Sequence, residues 1–171
     1  MSLSDLASIG SFVSGLAVLV SLIYLSLQVR QNTLAHRVTA HMGRYAFVQQ
    51  QVQMLMDPAI AALTLKGFQD IENLSELEAY QIHNHLHAFI VGSEEMYWLH
   101  AQGSLDDHAF DTQMSVLLQI LRSPAGRASW ELGKSTMAPP FLKYVEPKLA
   151  DLPIASPPPF LEQWKAATGK T

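Results

Sequence analysis

The chain has 171 residues, 15% of them charged and 49% apolar, with a net charge of −4 and no cysteine. That length holds one membrane segment and one domain with a single core, and leaves no room for a second catalytic domain. The lack of cysteine excludes disulfides, thiolate metal sites and cysteine nucleophiles, and the charge order (basic to Met56, acidic from Asp57 to Asp111, weakly basic after) lacks the dense positive surface that a nucleic-acid partner requires.

From Leu6 to Val29 lie 24 residues without a charge. As a helix they reach roughly 36 Å, enough to cross a hydrocarbon core of about 30 Å with some tilt. Asp5 precedes the apolar run where a signal peptide would carry positive charge, so the segment reads as an uncleaved anchor. Every lysine and arginine follows it. The positive-inside rule then places residues 1–5 outside and the remainder in the cytoplasm, at the bacterial inner membrane. Ala7, Ser11 and Gly15, with Gly10 and Ser14 beside them, form a small-residue stripe of the kind that lets membrane helices approach closely.

Past Arg30 the spacing continues as Leu34, Val38, His41, Tyr45, Val48, Val52 and Leu55, alternating four and three: a heptad seam in a juxtamembrane helix over residues 30–56. Arg30, Arg37 and Arg44 recur every seven residues along one flank, suited to lipid headgroups or a partner. Two fates are open to the seam. It packs on later helices of the same chain, or it pairs as a coiled-coil stalk.

Asp57-Pro58 is a helix start, and Gly67 a plausible stop. Ser75-Glu76-Leu77-Glu78 is a capping box opening a long helix that ends near Gly103, with core face Ile82, Leu86, Phe89, Ile90, Ser93, Met96 and Tyr97. Ser104 is placed to cap a helix with the stripe Phe110, Met114, Leu117, Leu118 and Leu121. Ser123-Pro124 opens a short helix through Trp130. Pro139, Pro140, Pro147 and Pro153 predict a broken segment after Met137. Ser156-Pro157-Pro158-Pro159 is expected to be extended, before a last short helix around Phe160–Ala167. No stretch alternates with period two.

The predicted class is therefore all-α: a transmembrane helix (6–29) continuing into the juxtamembrane helix (30–56), packed with a small cytoplasmic bundle (57–152) and followed by a Pro-rich segment with a short helix (153–171). The features that recur in this order are Ile23-Tyr24-Leu25, Gln28-Val29-Arg30-Gln31-Asn32-Thr33, Gly67, Leu74-Ser75-Glu76, Glu95, Tyr97, Gly103-Ser104-Leu105-Asp106, Pro124-Ala125-Gly126-Arg127, Trp130 and Phe141. On these residues the chain resembles a family of uncharacterised bacterial single-pass membrane proteins with an all-helical cytoplasmic domain. The resemblance implies that architecture. It brings no established activity and no catalytic residue.

Chemistry has few candidates. His83, His87 and Glu94 fall near one flank of the long helix, where two histidines a turn apart and a carboxylate could share a divalent metal. No Glu-x-x-His occurs, which excludes the usual di-iron bundle pattern. Gly133-Lys134-Ser135 has Ala128 where a phosphate loop needs its first glycine. Arg127 and Trp130, a turn apart, suit either a carboxylate ligand or the stapling of a terminal helix. The functional expectation is a non-catalytic, membrane-anchored interaction or accessory subunit, without a cofactor. Its partners would be the bilayer and itself or a larger membrane complex. The alternative is a ligand- or metal-responsive sensor using the His/Glu flank.

Overall fold

A computed structural model describes residues 3–169, apart from the side chain of Asp5. The expected tail of residues 1–5 lies partly outside this range, and from Leu3 the chain is helical. Seven α-helices follow one another with no strand among the described residues: α1 (Leu3–Leu55), α2 (Pro58–Gln69), α3 (Glu76–Ala101), α4 (Asp107–Arg122), α5 (Pro124–Gly133), α6 (Pro139–Ala150) and α7 (Phe160–Ala167). Short 3-10 turns at Ile71–Asn73 and Lys134–Thr136 complete the order. The chain divides into two compact units, Met1–His41 and Met42–Thr171, with the division inside α1.

In the second unit α3, α4 and α5 pack on one another, α2 lies against α3 and α5, and α6 lies against α4. Local chemistry sets the helix starts. The Asp57 carboxylate accepts the Ala59 N–H at 2.8 Å, ahead of Pro58, whose missing N–H costs nothing in a first turn. α2 runs through Gly67 to Gln69. At Ser75 the capping box forms in both directions: Glu78 N–H donates to Ser75 Oγ at 3.3 Å, and Ser75 N–H donates to Glu78 Oε2 at 2.8 Å.

The start of α4 differs from expectation. The turn at Gly103 takes φ +71°, and the N–H groups of Ser104 and Leu105 both donate to Leu99 O, closing the end of α3. With Leu105 buried, the cap passes to Asp106, which accepts the Ala109 N–H at 3.0 Å.

Ile82, Leu86, Ile90, Ser93 and Met96 are the buried positions of α3. Ile82 and Leu86 form one cluster with Ala125 of α5, and Ile90 and Met96 join Phe110, Met114, Leu117 and Leu121 of α4, Trp130 of α5, and Phe141, Val145 and Leu149 of α6 in the main core. One polar pair sits inside it: Gln113 Nε2 donates to Ser93 Oγ at 3.1 Å, and Ser93 Oγ donates back to Phe89 O at 2.9 Å. Each side chain thereby has a partner, which lowers the penalty of its burial.

The largest correction is α6. Three of the four prolines expected to break this segment, Pro139, Pro140 and Pro147, lie inside a 12-residue helix, and Pro153 follows its end. Pro139 and Pro140 occupy its first turn, where no N–H is required. Ala138, which has no capping side chain of its own, donates its N–H to Glu94 Oε1 of α3 at 2.7 Å. Pro147 removes one helical hydrogen bond, a loss of about 3 kcal/mol in a helix interior. Burying Phe141, Val145 and Leu149 contributes about 1.5–3 kcal/mol each, which outweighs it.

Two substitutions test this packing by chemical unfolding followed through tryptophan fluorescence. Glu94→Ala should lower stability by about 1–2 kcal/mol, as loss of a charge-assisted cap does, with Glu94→Gln intermediate because its amide oxygen still accepts. Phe47→Ala, which removes a half-buried ring from the core edge, should lower it by about 1–3 kcal/mol.

Candidate functional site

α1 is long and apolar enough to cross a membrane. Its large apolar side chains from Leu6 to Val29 all face outward. The small-residue stripe (Ala7, Gly10, Ser11, Ser14, Gly15) is likewise exposed, and a Cβ built on Gly10 or Gly15 meets open space. Ser8 and Ser21 donate their hydroxyls to the carbonyls of Ser4 and Ala17, at 2.9 and 2.8 Å, so these polar groups find partners within the helix.

Within the second unit, α1 turns Arg44, Phe47, Gln51 and Met54 inward. Phe47 lies 5.7 Å from the Phe89 ring and over Gly92 of α3, where any side chain would have to displace the ring. Each of these inward positions comes one residue before a seam position: Tyr45, Val48, Val52 and Leu55. One residue is about 100° of helix, so the seam points away from the bundle. These four are 39–66% exposed. Leu34, Val38 and His41, with the same spacing, are exposed as well. The arginine flank is divided: Arg30 and Arg37 are exposed, whereas Arg44 is half-buried, with its Nε enclosed and unpartnered.

His83 and His87 are brought together and Glu94 is not. Their rings stack at 5.5 Å and 22°. The Nδ1 atoms of both are buried without a hydrogen-bond partner, and His87 Nδ1 rests in the space left by Gly133. A metal-bound imidazole normally anchors its second nitrogen on a carboxylate or carbonyl, and neither ring has that support. Glu94 is spent on the Ala138 N–H. Among the described residues no three His, Asp or Glu side chains are grouped to hold a metal ion.

Arg127 works as a staple. Its Nε donates to Leu121 O at 3.1 Å, Nη1 to Leu149 O at 3.4 Å and Nη2 to Leu152 O at 3.1 Å. It thereby joins the ends of α4 and α6, whose terminal carbonyls lack helical partners and carry the negative end of the helix dipole. Trp130 is buried against Phe141, with ring centroids 6.1 Å apart.

Two clefts were not foreseen, because their walls come from residues with no motif. One, of about 650 Å³, lies between α2 and α3, with Ile60, Leu63, Ile82 and His85 on its walls and the Lys66–Glu78 pair at its rim. The other, of about 530 Å³, is apolar and bounded by Leu55, Leu65, Phe68, Val116, Pro157 and Phe160.

Electrostatics around the first cleft are pH-sensitive. Lys66 Nζ donates to both Glu78 oxygens at 2.8 Å. That bond, with those from Ser75, lowers the Glu78 pKa from 4.5 to about 2. Burial lowers His83 and His85 below the ordinary 6.5, and the charge of His87 adds to the effect at His83.

The signs follow by linkage. The unfolded chain takes up protons on His83 and His85 before the folded chain does, so their contribution is full above about 6.5 and declines as pH falls below it. The Glu78 contribution is present above 4.5 and is lost as pH falls toward about 2. Unfolding measured across a pH series should show both limbs. His83→Gln with His85→Gln should flatten the first, and Glu78→Gln the second.

No known protein family, curated protein or solved structure matches this chain.

Proposed function

We propose that this protein is a non-catalytic interaction subunit held in a bacterial inner membrane by residues 6–29. Its helical domain lies on the cytoplasmic side and associates with itself or with a larger membrane complex. The observation that carries this reading is the exposure of α1. Fourteen large side chains between Leu6 and Val29 are 49–73% exposed. At about 1.5–3 kcal/mol for a whole side chain, leaving roughly half of each in water costs on the order of 10–20 kcal/mol, as much as the roughly 5–15 kcal/mol that holds a domain folded. A bilayer removes that cost. The placement of every lysine and arginine after the span supports the cytoplasmic side, and the resemblance noted above supports the bacterial membrane.

The contact surfaces are the small-residue stripe and the seam, whose side chains are exposed. Arg30 and Arg37 are placed to meet anionic headgroups or a partner. The second reading, a ligand-responsive sensor, is supported by the α2–α3 cleft, whose size suits a small molecule. With Glu94 turned away, the histidine pair adds little to it.

Cell fractionation tests the anchoring. The full chain should stay with the membrane through an alkaline carbonate wash and be released by detergent, and a chain lacking residues 1–29 should move to the soluble fraction. Release of the full chain by carbonate would contradict it.

A further inference from the structure

We propose that the apolar cleft between α2, α4 and the C-terminal segment is a binding site for an uncharged single-chain lipid of the glycerol monoester type. The cleft measures about 530 Å³, within the size range of small-molecule sites. α2 supplies Leu65 and Phe68, α4 supplies Val116 and Ile120, and Pro157 and Phe160 close it from the end of the chain. Leu65, Val116 and Phe160 are 44, 41 and 58% exposed, so a guest would cover apolar surface on three sides.

Charge selects the guest. None of the residues lining the cleft is charged. Lys66, Asp70, Arg122 and Glu162 each stand next in sequence to a lining residue, yet none of them borders it. A phosphate, carboxylate or ammonium headgroup would lose hydration on entry and meet no opposite charge. The α2–α3 cleft differs in this respect, with the Lys66–Glu78 pair at its rim.

The polar groups of the lining are neutral, and most are spent. Thr64 Oγ1 donates to Ile60 O at 2.8 Å, Ser123 Oγ to Ile120 O at 2.7 Å, and Gln163 Nε2 to Pro158 O at 2.7 Å. The side-chain amides of Gln69 and Gln119 have no hydrogen-bond partner among the described residues. One stands on α2 and the other on α4. Each amide both donates and accepts, which suits hydroxyl groups and an ester carbonyl.

Size narrows the class further. At about 30 Å³ per non-hydrogen atom, the share of one water in the liquid, the cleft takes roughly 17 such atoms, the size of glycerol esterified to a chain of about ten carbons. A two-chain phospholipid exceeds that size and carries charge as well. The bilayer as source of the molecule rests on the membrane reading, while the size and neutrality of the site stand without it.

Photolabelling of the full chain in lipid nanodiscs tests the assignment. Three probes carry the same diazirine at the tip of a ten-carbon chain: the uncharged glycerol monoester, and the permanently charged choline ester and alkyl sulfate. Adducts are located by peptide mass spectrometry, with labelling of residues 6–29 from the lipid as the common scale. Relative to that span, the monoester should label the cleft peptides (61–69, 116–123 and 157–163) several-fold more than either charged probe. Excess unlabelled monoester should suppress cleft labelling alone. Ala61→Trp, at a position bordering the cleft, should abolish it with helicity by circular dichroism unchanged. Gln69→Leu with Gln119→Leu, at two exposed positions, should reduce it several-fold, and decides the matter if the tryptophan variant does not fold.

Cleft labelling in the same proportion by all three probes, a preference for a charged one, or labelling that the competitor leaves untouched would overturn the site. Undiminished labelling of the folded tryptophan variant or of the double glutamine variant would do the same. If residues 6–29 are labelled and the cleft is not, the site falls and the anchoring stands. If the cleft is labelled saturably and residues 6–29 are not, the reverse holds.

Discussion

The contact of Phe47 with α3 decides what the end of the long helix can do. Its ring sits over Gly92 and beside Phe89. Once that face is turned inward, helix geometry fixes the rest: a residue one position later points about 100° away. Tyr45, Val48, Val52 and Leu55 are therefore held outside the bundle by the same packing that buries their neighbours. Exposure of the seam is a consequence of the fold, and it is what leaves α1 able to contact something other than its own chain.

Behind that contact, α3 organises the domain through polar groups as much as through its apolar face. Ser75 and Glu78 close its first turn, and Glu78 also holds Lys66 of α2. Glu94 caps α6 through Ala138, and Ser93 receives Gln113 of α4. Arg127 gathers carbonyls from the ends of α4 and α6. Each of these side chains meets a backbone group or polar atom of a neighbouring turn or helix. The recurring theme is satisfaction of donors and acceptors, and it consumes several residues whose chemistry resembled that of a binding site.

Much of this was legible in the sequence where the signal is local. Asp57-Pro58, the Ser75–Glu78 box and Ser123-Pro124 read as helix starts because cap and first turn are adjacent, and α3 and α4 because their apolar spacing is unmistakable. What failed to be legible is what depends on distant partners. α6 looked broken because its capping acid, Glu94, stands 44 residues earlier on another helix. Glu94 looked like a metal ligand for the same reason. In α1, Phe47 and Val48 belong to two stripes of identical spacing, and periodicity alone does not say which one meets the bundle. Arg44 was assigned to the headgroup flank, but it comes one residue before a seam position and is carried to the inner stripe.

The claim on which the account turns is that α1 passes from lipid to water near Arg30. Spin labels attached one at a time to cysteines introduced from position 8 to position 55 of the full chain in liposomes would measure it, through collisions with oxygen and with a water-soluble nickel chelate. The account predicts high oxygen and low nickel accessibility through residues 8–27, with the ratio reversing past Arg30 and nickel reaching the outer face of residues 42–55. Nickel accessibility that stays high from position 8 onward would show that the apolar helix lies in water or against protein, and would contradict it.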